Sequence, residues 1–180
     1  MTDLPERDPL ADLVSRSVGA RIESVVAEEL PNQDGIERKR LRYTTGDGPK
    51  TAIFERSARG VTLEAQLLPF LARKTAHVPV VYARGLPPPH ASLGPWLLLE
   101  DVLDAPLESD AAAILVAKRA IEVAVKDDVP ALRALGVRGD GTALVHGSLT
   151  RDKAHRTSRG VVIVGWAKAH LGDPASDDLT

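Results

Sequence analysis

Polar and apolar side chains alternate from Ala20 to Leu30 and again from Ile36 to Thr45, the period-two pattern of strands that bury one face. Between them Pro31-Asn32-Gln33-Asp34-Gly35 supplies turn residues, so the two runs predict a hairpin. Gly46-Asp47-Gly48-Pro49 predicts a second turn and Lys50 to Arg56 a third antiparallel strand. The period then changes. Leu63, Leu67, Phe70 and Leu71 fall on one helical stripe after Thr62, with Pro69 inside it expected to kink or shorten the helix. Val78 to Ala83 and Pro95 to Val102 are apolar runs of strand length around a Pro-rich turn at Leu86 to Pro89.

In the second half, Ile114, Ala117, Ile121 and Ala124 share one face of a helix predicted over Asp110 to Lys126, with Ser109 or Asp110 as N-cap. Pro130 to Leu135 reads as a short helix stopped by Gly136. Ala143 to His146 and Val161 to Trp166 read as short buried strands around a polar, basic loop. There is no internal repeat. The expected organisation is an N-terminal segment over 1–19, a sheet-bearing lobe over 20–102 with one packed helix, and a more helical lobe over 103–180.

Composition narrows the classes. At 180 residues, 43% of them hydrophobic and 27% charged, the chain can bury a core like that of an ordinary globular protein. Only 3% are aromatic, so aliphatic packing must dominate. A formal net charge of -2 and a pI near 6.2 provide no global field for a polyanion, and nucleic acid is not an expected partner. With no cysteine, disulfides, thiolate metal sites and thiol nucleophiles are excluded together, and a reducing cytoplasm suits the chain. Met1 to Leu10 has no apolar core of a signal peptide, and the longest apolar runs, such as Ala111 to Ala117, fall short of a membrane span, so no membrane association is expected.

Four stretches, in order, carry a resemblance. They are Leu63-Glu64-Ala65-Gln66-Leu67-Leu68, Trp96-Leu97-Leu98-Leu99-Glu100-Asp101-Val102, Leu144-Val145-His146-Gly147-Ser148-Leu149, and Gly165-Trp166 followed by Gly172-Asp173-Pro174-Ala175-Ser176-Asp177-Asp178-Leu179. From about Ala20 to Leu179 the chain resembles the aminoglycoside phosphotransferase and choline kinase-like family, in its αC-type helix, hinge, catalytic loop and metal-binding loop. The resemblance implies an α+β, protein kinase-like fold, with an N-terminal antiparallel sheet, one packed helix and a truncated, mostly helical C-terminal lobe. It also implies nucleotide-binding positions at Glu64, the helix carboxylate, and at the hinge residues Glu100, Asp101 and Val102.

The family's chemical positions hold other residue types. Its catalytic loop reads His-Gly-Asp-Leu-His, two residues, then Asn, and an Asp begins the metal-binding loop; the first Asp serves the acceptor hydroxyl, while the Asn and second Asp hold Mg²⁺ on the phosphates. Ser148, with His146 beside it, stands at the base position, and a hydroxyl is no base near neutral pH. Lys153 stands at the Asn position and Gly165 at the second Asp, so a cation and a bare backbone replace both metal ligands. Asn32, far off in a turn, is the chain's only asparagine. Glu55 aligns with the phosphate-binding Lys or Arg and would oppose Glu64; a one-residue slip would bring Arg56 there, on the other sheet face. The stretch from Leu103 to Thr142 is short for the family, and helices that build its acceptor pocket have no counterpart before Thr180.

Plainer readings stand beside these. Glu64 could be an exposed helix residue, Glu100 and Asp101 the end of a strand, and His146 a hydrogen-bonded structural histidine. His-Gly-Ser is no nucleophile elbow, and His146, His155 and His170 lack zinc-site spacing. Arg151, Lys153, His155, Arg156 and Arg159 form a solvated basic loop or, as a site, suit phosphate or carboxylate without Mg²⁺. Arg38, Lys39, Arg40 and Arg42 should split between two strand faces. The leading expectation is a catalytically inactive kinase-like domain, a pseudokinase, that binds a protein partner or an anionic small molecule. The alternative is an ATP-dependent small-molecule phosphotransferase using ATP and Mg²⁺, with Asp152 or Asp173 as a substitute metal ligand; a third is a shortened remnant without activity.

Overall fold

The structure, a computed structural model, describes residues 9–33, 35–57, 62–86, 94–173 and 175. Their contacts divide them into two compact units, one drawn from Met1–Arg59 and Tyr82–Asp101, the other from Gly60–Val81 and Val102–Thr180.

The first unit is a five-stranded sheet with one helix. Strands β1 (Val25–Gln33), β2 (Ile36–Thr45), β3 (Gly48–Ser57), β4 (Val81–Gly85) and β5 (Trp96–Glu100) lie in the order β1-β2-β3-β5-β4. The pairs β1–β2, β2–β3 and β3–β5 are antiparallel. The registers Leu41↔Ala52, Lys39↔Phe54 and Phe54↔Leu98 put Leu41, Ala52, Phe54 and Leu98 on one face. Helix α1 (Pro9–Val18) meets that face: Ala11 and Val14 join Ile22, Leu41, Tyr43, Ala52, Phe54 and Leu98 in one buried cluster. Each large side chain removed from water there contributes about 1.5–3 kcal/mol. Phe54 and Trp96 stack with ring centroids 6.1 Å apart.

Two expectations change here. The segment over 1–19 contains a helix, because Pro9 occupies its first position, where a missing N–H does no harm, and Leu10, Val14 and Val18 make a short stripe. Pro31-Asn32-Gln33, expected in the turn, belongs to β1, and β1 itself starts at Val25 rather than Ala20. The ladder slips between Leu30 and Gln33, and β1 is an edge strand, where a proline removes no necessary hydrogen bond.

The second unit combines α2 (Leu63–Leu71), α3 (Ala111–Ala124), α4 (Val129–Ala134) and two antiparallel strand pairs. These are β6 (Ala143–Val145) with β9 (His170–Gly172), and β7 (Ala154–Thr157) with β8 (Gly160–Ile163). Thr62 caps α2, its hydroxyl accepting from the Ala65 amide at 3.1 Å, and the helix continues only two residues past Pro69. Asp110 caps α3 by accepting from the Ala112 amide at 2.9 Å. Ile114, Ala117 and Ile121 are buried as the spacing predicts, and the same helix also buries Lys118 and Glu122 as an ion pair at 3.2 Å. The basic loop is a hairpin: a 3-10 turn over Arg151–Lys153 leads into β7 and β8, and the strand predicted to Trp166 ends at Ile163. Residues 87–89 of the Pro-rich turn, and 174 and 176–179 of the final stretch, lie outside the described residues.

Candidate functional site

Two loops of the second unit meet around His146. One follows β6 and runs through Gly147 and Ser148 into the 3-10 turn Arg151–Lys153; the other follows β8 and runs through Val164 and Gly165 into a 3-10 turn over Trp166–Lys168. His146, 1% exposed, donates from Nε2 to the Val164 carbonyl at 2.9 Å and meets the Trp166 ring edge-on, centroids 4.7 Å apart. The imidazole therefore joins the loops, as the structural reading of this histidine expects. Gly147 permits the close approach. Its φ is +79°, and a Cβ there would lie 2.3 Å from the Lys168 carbonyl oxygen.

Ser148, Lys153 and Gly165 come together where these loops meet. The Lys153 ammonium donates to the Ser148 carbonyl oxygen and to Ser148 Oγ, both at 2.6 Å. Its aliphatic stem runs alongside Gly165, 3.4 Å from where a Cβ would sit, and Gly165 is left-handed at φ 78°, ψ 52°. The Val164 amide donates to the Lys153 carbonyl at 2.9 Å, which ties the turn to the second loop. A buried carboxylate completes the group: Glu64 of α2, 9% exposed, accepts from the Trp166 amide at 2.9 Å. Glu64 is thus no surface residue; it satisfies a backbone donor at the start of the Trp166–Lys168 turn.

This donor set does not fit Mg²⁺. The ion takes oxygen ligands in near-octahedral array at about 2.0–2.1 Å, whereas Lys153 brings a positive charge and Gly165 no side-chain oxygen. Asp152 is exposed on its turn, and among the described residues no group of three or more histidines and acids could hold a metal. Asp173 Oδ1 accepts from the Ala175 amide at 2.9 Å.

The basic residues after Arg151 disperse. His155 is buried, with Nδ1 3.2 Å from the Ala105 carbonyl. Arg156 pairs at 2.6 Å with the buried Glu108, and Arg159 donates to the Ala76 carbonyl at 2.8 Å. The Arg156 guanidinium, helped by the Asp110 amide, holds the Glu108 carboxyl below the usual carboxylate range.

In the first unit, β2 directs Arg38, Arg40 and Arg42 to one face, and each meets an acid there. Arg38 pairs with Glu55 at 2.9 Å, Arg40 with Asp101 at 2.7 Å, and Arg42 with Glu28 at 3.0 Å. Lys39, on the other face, bridges Glu29 and Glu37. Burial pushes the Glu55 carboxyl up, with Arg38 working against it. Glu55 and Glu64 thus each have a partner of their own, and the slipped candidate Arg56 donates to Glu37. Of the hinge residues, Glu100 ends β5, and the Asp101 side chain is fully buried against Arg40. Val102, in the second unit, is buried and accepts from the Ala105 amide at 3.0 Å.

Sequence comparison is silent: no family model matches the chain, and no curated protein does. Comparison with solved structures is not. A thermostable mutant of the aminoglycoside phosphotransferase APH(4)-Ia, in ternary complex with ADP and hygromycin B, matches over 94% of this chain and 75% of its own at a TM-score of 0.53 and 12% identity. A Ralstonia eutropha JMP134 protein assigned as an aminoglycoside phosphotransferase matches over 94% and 68% at 0.55 and 16% identity. The Cydia pomonella granulovirus kinase PK-1 matches over 94% and 62% at 0.50 and 11%. No helix among the described residues is long and apolar enough to cross a membrane. With its five-stranded sheet and its loops joined at His146, the chain has the kinase-like fold of the aminoglycoside phosphotransferases.

Proposed function

We propose that this chain is a catalytically inactive kinase-like domain that acts by binding a protein partner or an anionic small molecule. The observation that carries this reading is the Lys153 ammonium seated on Ser148 and alongside Gly165. Phosphoryl transfer depends on anionic oxygens that hold Mg²⁺ against the phosphates and on a base that orients the acceptor hydroxyl. Ser148 supplies a hydroxyl already engaged by a cation, and a lost general base alone lowers a rate by about 10²–10⁴-fold. The neighbours' substrates do not transfer with the fold, since one fold serves many acceptors.

The test is ATP turnover by the purified protein with Mg²⁺, measured as ADP release. The expected rate equals that of a buffer control. Turnover above it, abolished by Asp152→Asn or Asp173→Asn, would contradict the proposal and establish a phosphotransferase with substitute metal ligands.

A further inference from the structure

Lys153 differs from most cations described above. Arg38, Lys39, Arg40, Arg42, Arg56, Lys118 and Arg156 each stand within 4.0 Å of a carboxylate. The Lys153 ammonium has none among the described residues; its partners are the two oxygens of Ser148. An ammonium carries three N–H donors and no acceptor, so these two bonds leave one donor unassigned. The side chain is partly buried, which places a full positive charge in surroundings that screen it less than bulk water does. Gly165 adds no side chain there, and a Cβ at that position would lie 3.4 Å from the lysine stem, in ordinary van der Waals contact. A partly desolvated cation with a spare donor, set beside a hydroxyl and a residue without a side chain, is suited to an anion.

We infer that Ser148 and Lys153 form a metal-independent site for the phosphoryl oxygens of a small phosphorylated molecule, with the ammonium supplying the charge that a divalent cation would otherwise bring. The inference rests on the inactive-domain reading and gives its anionic ligand a chemical class. A sign follows directly. Mg²⁺ complexed to a phosphate masks the oxygens that Lys153 would grip and adds a second cation beside it. Magnesium should therefore weaken binding, opposite to its effect on a metal-dependent kinase.

Isothermal titration with inorganic phosphate, pyrophosphate and ATP, each in EDTA and in excess Mg²⁺, tests this. At least one of the three should bind in EDTA and bind more weakly with Mg²⁺; binding of phosphate or pyrophosphate identifies a bare phosphate site, and binding of ATP alone a nucleotide site. Lys153→Met should weaken binding by about tenfold to a hundredfold, the weight of one charge-assisted hydrogen bond, and Lys153→Arg should retain most of it. If the Met variant fails to fold by circular dichroism, the wild type decides: its Lys153 Nζ resonance must shift on adding pyrophosphate, and an unmoved resonance overturns the inference. No binding of any probe at millimolar concentration, equal affinity in a folded Lys153→Met, or affinity that rises with Mg²⁺ would overturn the inference. The first two outcomes leave the absence of ATP turnover standing, so the two readings fail separately.

Discussion

Replacing Glu64 separates a cap from a charge. Kinases pair a helix carboxylate with a phosphate-binding lysine; the Glu64 carboxylate accepts from the Trp166 amide at 2.9 Å. Glu64→Ala removes the acceptor of a buried N–H, worth about 1–3 kcal/mol, and one buried methylene, worth about 0.8 kcal/mol. The loss should be near 3 kcal/mol, which for a chain of this size lowers the melting temperature by about 6–12 °C. Glu64→Gln keeps an amide oxygen in the same place. It gives up the assistance of the charge but also the expense of burying it, and should stay within about 1 kcal/mol of the wild type. Urea denaturation with unchanged slope, alongside thermal melts, measures both. If the Gln variant loses as much as the Ala variant, the carboxylate serves a cation and not the turn. If neither loses stability, the cap described here contributes nothing.

Two further outcomes follow from the loops and their neighbours. Gly147→Ala combines a left-handed backbone, about 1–2 kcal/mol, with a Cβ 2.3 Å from the Lys168 carbonyl oxygen, so it should melt well below the wild type. Gly165→Asp should be tolerated, because Asp accepts that conformation and the nearest atom is 3.4 Å away; equal melting temperatures for the two variants would contradict the loop geometry. Glu108, held below the usual carboxylate range by Arg156, contributes stability above its ordinary unfolded value near pH 4.3, and that contribution is lost as pH falls through its lowered folded value. Glu108→Gln should therefore be less stable than the wild type at pH 7, with a gap that closes on acidification; a gap independent of pH refutes the ion pair.

Strands β2 and β3 and helix α3 were legible because long periodic stretches leave few alternatives, and Asp110 is one of the two cap candidates read for α3. Helix α1 was not, since a ten-residue stripe beginning at a proline looks the same as a coil until the face of Leu41 and Phe54 is there to receive it. Pro31-Asn32-Gln33 carries turn chemistry, yet strand pairing at a sheet edge overrode it. The buried pair Lys118–Glu122 lies on a face whose apolar residues are readable and whose ion pair is not. At the site, residue types were legible and contacts were not. That Ser148, Lys153 and Gly165 carry no carboxylate or amide oxygen in their side chains can be read along the chain, but that the ammonium sits on the serine depends on two loops joined by His146. Glu64 shows the same limit: it accepts from a backbone amide, which no side-chain pattern marks.

The most direct test supplies metal-binding oxygens. Ser148→Asp, Lys153→Asn and Gly165→Asp, combined in one chain, would remove the ammonium and place two carboxylates and an amide where Ser148, Lys153 and Gly165 converge. Titration with ATP and Mg²⁺ should show metal-dependent affinity in this triple variant and none in the wild type. Mg²⁺-dependent ATP binding by the wild type, or a folded triple variant that gains nothing, would contradict the claim that a lysine has taken the place of the metal.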